Sequence, residues 1–167
     1  MSYSFDASAF LDLPVDVPLV RRPPIPAADY IGAVKDVAVR QWTSKDKIDD
    51  TTGRPKSGLA YDLKITVEVP EHIRASVGMT SPTLELTTGI MLDMTADGKG
   101  IDSAPGRNGA LRRWREALDM NKPGELFRAR EMVGKMLTVK VGHREYPPGS
   151  GDFFEEVSNV SRLQMGG

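Results

Sequence analysis

Residues 106–143 read GRNGALRRWREALDMNKPGELFRAREMVGKMLTVKVGH, and the change of period within this stretch decides the fold. Leu111, Trp114 and Leu118 recur at i, i+3 and i+7. That spacing lays one apolar stripe along a helix while the arginines fall mostly elsewhere. NKPGE breaks the helix, since proline removes a backbone donor and glycine frees the chain to turn. ELFRAREMVG carries a short second helical stretch, closed by Gly134 in the position of a C′ glycine. KMLTVKVGH then reads as a strand.

Upstream of this insert the pattern is β. In DYIGAVKDVAVRQW, Tyr30, Gly32 and Val34 share one parity and Val37 and Val39 the other, a slip that predicts a bulge near Lys35 and Asp36. Tyr61, Leu63, Ile65, Val67 and Val69 alternate with Asp62, Lys64, Thr66 and Glu68, the mark of a strand with one buried face. Pro70 ends it. TLELTTGIML puts Leu84, Leu86, Ile90 and Leu92 on one face, with Gly89 where a closing sheet would turn sharply. Downstream, DFFEEVSNVSRL is a fifth strand.

Three strands, a helical insert and two strands is the order of the OB-fold, a mainly-β, five-stranded Greek-key barrel with its helix between strands three and four. A bulged first strand and a glycine within the third suit a curved barrel. An α+β sandwich with the same order and different pairing is the alternative. The domain spans residues 28–163, followed by a short tail at 164–167. Residues 1–27 form an extended arm, because the prolines of LPVDVPLVRRPPIP exclude a helix or central strand. Phe10, Leu11, Leu13, Val15, Val17, Leu19 and Val20 are too many apolar residues for a solvated tail. The arm is therefore expected against the domain or a neighbouring subunit, with a disordered tail as the alternative.

Composition narrows the chemistry. The 167 residues include no cysteine and two histidines, so a disulfide framework, thiol nucleophile or thiolate metal site is excluded. The opening lacks a leader's charged and apolar regions, and no stretch approaches bilayer length. A soluble, cytoplasmic chain is expected. LDMTADGKGID lacks the bidentate glutamate of a calcium loop, and GRPKSG and ADGKG miss the phosphate-loop spacing. The first reads instead as a polar hairpin tip. Asp49 with Asp50 and Glu155 with Glu156 are adjacent pairs that a strand directs to opposite faces. His143 has no visible orienting partner. The expectation is a non-enzyme with no metal and no cofactor.

Binding has more support. Between strands one and two, RQWTSKDKIDDTTGRPKSG holds five cations against three carboxylates, with Trp42 at its head. In OB-folds this loop and the one joining strands four and five flank the nucleic-acid groove. Single strands need cations along the backbone and flat π surfaces for unstacked bases. Trp42, Tyr146 and Phe153 are the candidate platforms. Arg40, Lys45, Lys47, Arg54, Lys56, Lys64 and Arg144 are the candidate phosphate contacts. A net charge of −1 provides no global polyanion footprint, so the case rests on these local patches. Lys99 to Lys135 adds nine cations against five acids, read either as an extension of the groove or as the polar face of a helix.

From GRNGALRRWREALDMNKPGE through FRAREMVGKMLTVKVGHREY to FFEEVSNV, the chain resembles bacteriophage-encoded single-stranded DNA-binding proteins with an OB-fold. The resemblance covers roughly residues 28–163 through Gly134, Val139, Val141, Asn159 and Val160, which look structural. It implies sequence-tolerant binding of single-stranded DNA in phage replication or recombination, in the host cytoplasm, without catalysis. Replication or recombination proteins would be further partners, and the arm would serve a homo-oligomer. Many such proteins end in an acidic, partner-recruiting tail, whereas this chain ends RLQMGG. The alternative is an OB-like protein-interaction or assembly module of a phage that binds no nucleic acid.

Overall fold

The alternating runs fold into β1 (Ala28–Ile48), β2 (Pro55–Glu68), β3 (Thr83–Met91), β4 (Met136–Glu145) and β5 (Phe153–Ser161). The computed structural model describes residues 6–164, so residues 1–5 of the arm and 165–167 of the tail lie outside the described residues. All pairings are antiparallel, in the order β3-β2-β1-β4-β5. Three hairpin-linked strands are thus followed by a fourth that returns beside the first, a Greek-key order.

The core lies on the face that periodicity selects. Leu63, Ile65 and Val67 of β2 are fully buried with Val34, Ile90, Leu137, Val139 and Val141. Between β3 and β4, α3 (Gly109–Ala117) directs Leu111 and Trp114 into this cluster, and Leu118 follows at its C-cap. Each large aliphatic side chain taken fully from water contributes about 1.5–3 kcal/mol before entropy is charged against it.

The predicted bulge is present. Pairing passes from Val34↔Ile65 to Asp36↔Lys64 and skips Lys35. The other flank of β1 holds it in place: the Val34 N–H donates to the Lys135 carbonyl at 2.9 Å, and the Gly134 N–H donates to the Val34 carbonyl at 2.8 Å. Gly134 has φ of 87°, which glycine adopts without a Cβ penalty. The second helical stretch is reduced to one 3-10 turn, Ala129–Met132, because the residues after it are committed to β1.

Closure differs from the sequence expectation. The end strands β3 and β5 do not pair, so the sheet is not closed. Ala110, Arg113 and Trp114 of α3 instead meet Thr88 and Gly89 of β3 and residues 157–160 of β5 around a cavity of about 160 Å³. β3 and β5 approach each other there without a hydrogen-bonded ladder. Nor does Gly89 turn the sheet: it pairs in regular register with Asp62.

Two helical segments go beyond the sequence reading. After Pro70, α2 (Glu71–Val77) runs to Gly78, whose φ is 76°. Ahead of the prolines in the arm, the single helical turn α1 (Ala7–Leu11) is capped by Asp6, which accepts from the Ser8 N–H. The LDMTADGKGID segment is a hairpin tip, bridged at Met94↔Ile101 and tied by Asp97 to the Thr95 hydroxyl and Lys99 N–H. Among the described residues no helix is long and apolar enough to cross a membrane.

Candidate nucleic-acid interface

The segment read as a loop, residues 40–58, is mostly strand. β1 continues to Ile48 and β2 begins at Pro55, leaving a turn at residues 49–54. The turn is closed by Asp49 N–H to Arg54 carbonyl at 2.8 Å and by an Asp49 carboxylate accepting the Thr51 N–H at 2.8 Å. β3 ends at Met91 opposite Ala60, so the hairpin beyond projects as a two-stranded ribbon. Such a ribbon has no core face, and its polar sequence carries no alternation to mark it as β.

A wide bulge interrupts this ribbon. Between Thr43↔Ser57 and Ile48↔Pro55, four residues of β1 stand opposite Lys56 alone. The Ser44 hydroxyl holds the bulge by accepting the N–H groups of Asp46 and Lys47 at 3.3 and 3.0 Å. Lys45 and Lys47 therefore reach the same level of the ribbon as Lys56, with Arg54 at the tip.

Register and the two-residue period put Arg40, Trp42, Lys56 and Lys64 on the face turned away from the core. Trp42 lies directly across from Gly58, where a Cβ would come within 2.8–2.9 Å of its Cζ2, Cε2 and Nε1 atoms. Glycine is needed there for the indole to lie against the backbone. The ring is half-buried, and its Nε1 is buried without a hydrogen-bond partner. Arg40 Nε donates to both carboxylate oxygens of Asp62 at 2.9 and 3.1 Å, with Gly89 beneath the pair. Lys35 and Glu85 form a second pair at 2.6 Å. That hydrogen bond raises the Lys35 pKa and lowers that of Glu85. Lys45, Lys47, Arg54, Lys56 and Lys64 have exposed side chains that join none of the ion pairs among the described residues.

Arg144, Tyr146 and Phe153 lie at the other end of β1. Ala28 pairs with Val141, while Trp42 pairs with Gly58. At about 3.3 Å per residue, the intervening strand has a contour of about 46 Å. The two groups do not face each other across a narrow cleft; they bracket a long face. Arg144 lies 5.8 Å from the Tyr146 ring centroid. Between them the Glu145 carboxylate accepts the Gly149 and Gly151 N–H groups at 2.6 and 3.2 Å. This acid closes the hairpin tip and reduces its attraction for phosphate.

Phe153 borders a cleft formed with residues 19–24 of the arm. The arm is anchored there. Arg21 stacks 3.8 Å over Phe154, and Arg22 donates to Glu155 at 2.8 Å. Glu155 also accepts the Ile25 N–H at 3.1 Å, and His143 Nε2 lies 2.6 Å from the Ile25 carbonyl oxygen. Ile25 is itself fully buried. The core thus includes a residue upstream of the boundary at 28. Burial pushes the Glu155 carboxyl upward, but the bonds from Arg22 and backbone N–H groups outweigh it and leave the pKa below its ordinary value.

Sequence reading found the cations and aromatics but missed their partners. Asp62 is opposite Ala38 and pairs with Arg40 only because of the bulge-shifted register. Glu155 meets Arg22 across 133 positions. Neither spacing leaves a local signal; Gly58, three residues before the alternation that starts at Tyr61, marks only where the Trp42 ring packs. Comparison of the chain with protein-family models and with curated proteins finds no match.

Proposed function

We propose that the chain is a non-catalytic, sequence-tolerant binder of single-stranded DNA, built on an open variant of the OB-fold and acting in phage replication or recombination. The observation that carries this reading is the projecting ribbon. Lys45, Lys47, Arg54 and Lys56 stand on it next to Trp42, and none of them joins an ion pair among the described residues. Cations spaced along a ribbon match a flexible phosphate backbone, and an indole beside them offers a surface to an unstacked base. The strand order and the helix between β3 and β4 support the fold assignment.

The ribbon and Lys64 form the main contact in this reading. Arg144 and Tyr146 supply a distal one, while Phe153 borders the cleft beside the arm and Arg40 is held by Asp62. A protein-interaction module is the second reading, favoured by the neutralised outer face at Arg40–Asp62 and Lys35–Glu85. A gel shift comparing single-stranded DNA, duplex DNA and RNA at two salt concentrations separates the two. Retardation of single-stranded DNA that weakens steeply with salt is expected; no retardation of any nucleic acid at low salt refutes the proposal.

A further inference from the structure

We infer that residues 13–20 of the arm act as a donated edge strand, pairing with the free edge of β3 in a second copy of the chain. The arm's own pattern specifies this. Leu13, Val15, Val17 and Leu19 occupy one parity, and Pro14, Asp16, Pro18 and Val20 the other. In an extended chain, one parity sends its side chains to one face and its N–H and C=O groups to one edge. The odd positions therefore combine an apolar face with a complete set of donors. Both prolines fall on the even edge, where they remove the donors a further strand would need.

Among the described residues this segment joins no sheet, and its one backbone bond is from the Leu13 N–H to the Phe10 carbonyl at 3.4 Å. Leu13, Val15, Val17 and Leu19 are 58–92% exposed, and no backbone hydrogen bond of residues 15–20 is found among the described residues. The arm's base, in contrast, is fixed by Ile25, Arg22 and Arg21 against the β4–β5 hairpin. The arm leaves the body from a defined place, and residues 13–20 beyond it stay exposed.

The same chain carries an unfilled edge. Among the described residues β3 pairs only with β2. Its later part, at Thr88 and Gly89, borders α3 and β5, and at its start the Ser81 hydroxyl takes both the N–H and the carbonyl of Thr83, which leaves the backbone of Glu85 and Thr87 without a partner on this side among the described residues. β5 is less available, since its start borders the arm base and residues 157–160 border α3. At residues 83–87 the core-facing side chains are Leu84, half-buried, and Leu86. An added strand whose odd positions continue that face would cover Leu84, Leu86 being already buried. Thr83, Glu85 and Thr87 would stand beside Pro14, Asp16 and Pro18 on the outer face.

Donor and acceptor on one chain make the exchange reciprocal. Two copies satisfy each other through a two-fold axis, burying four arm side chains from each. The prolines stop the ladder there, so the assembly is a dimer rather than a filament. This is strand addition at a sheet edge, with affinity from main-chain bonds and selectivity from alternate side chains. It does not depend on nucleic-acid binding.

Proline scanning tests the parity directly, with sedimentation or light scattering on the full chain. Wild type and Asp16→Pro are expected at dimer mass, since position 16 lies on the edge already broken by proline. Val17→Pro, which removes a donor from the pairing edge, is expected to halve the mass. The chain has no cysteine, so mixing an Asp16→Cys chain with a Glu85→Cys or Thr87→Cys chain should yield disulfide-linked heterodimers under oxidation. A monomeric wild type overturns the inference. So does a Val17→Pro dimer as stable as wild type. Disulfides that form only within a doubly substituted chain would assign the strand to its own edge and also overturn it.

Discussion

Replacing Glu155 with alanine tests how the arm is fastened. The carboxylate is 6% exposed and accepts from Arg22 at 2.8 Å and from the Ile25 N–H at 3.1 Å. Truncation strands the Ile25 N–H beside a fully buried side chain, a loss of about 1–3 kcal/mol. Arg22 adds less. Its side chain is 31% exposed and keeps a bond to the Pro23 carbonyl, so its share is about 0–1 kcal/mol. Glu155→Ala should therefore lower unfolding stability by about 2–3 kcal/mol in urea titrations, with an unchanged slope. Glu155→Gln, which keeps an acceptor and loses the charge, should cost about 1 kcal/mol.

The pH dependence has a definite sign. Because the folded Glu155 pKa lies below its ordinary value, its stabilisation is fully present above the usual carboxylate range and is lost as pH falls through the folded value. The stability gap between wild type and Glu155→Gln should narrow in acid. A Glu155→Ala protein within about 0.5 kcal/mol of wild type at neutral pH, or a gap that widens in acid, would refute the reasoning.

Further expectations follow from the same contacts. Gly58→Val places a side chain 2.8 Å from the Trp42 ring; the indole should swing outward, with red-shifted emission and a loss of about 1–3 kcal/mol by urea titration. Ile25→Ala should cost about 2–5 kcal/mol because Ile25 is fully buried, whereas deleting residues 1–20, exposed where described, should leave the unfolding midpoint of the monomer nearly unchanged. Replacing Lys45, Lys47, Arg54 and Lys56 together by Gln should reduce the salt slope of single-stranded DNA binding by about 2.8, at roughly 0.7 per phosphate contact. Arg40→Gln, which removes a cation already held by Asp62, should change that slope little.

Legibility followed burial. Tyr61 to Val69 and Leu111 to Leu118 announce their periods because one face of each meets the core, and the slip between Val34 and Val37 marked the bulge at Lys35. The ribbon was illegible as strand because residues 43–57 have no buried face to impose alternation. α2 left weak signals, Pro70 ahead of it and Gly78 behind. Closure of the sheet could not be read from periodicity, since alternation marks which face of β3 and β5 is buried and not whether their edges pair. In the site, residue types were readable and their occupancy was not. Arg40 and Lys45 look alike in sequence, but Asp62 holds one and leaves the other open.

Binding of single-stranded DNA at the ribbon is read out by titrating oligo-dT into a Trp114→Phe background while following Trp42 fluorescence at two salt concentrations. Trp114 is buried in the core, so its removal leaves Trp42 as the single indole. A saturable change in Trp42 emission is expected, with a midpoint that moves steeply to higher oligonucleotide concentration with salt. An emission spectrum unmoved by oligo-dT at low salt, with the fold intact, would contradict it.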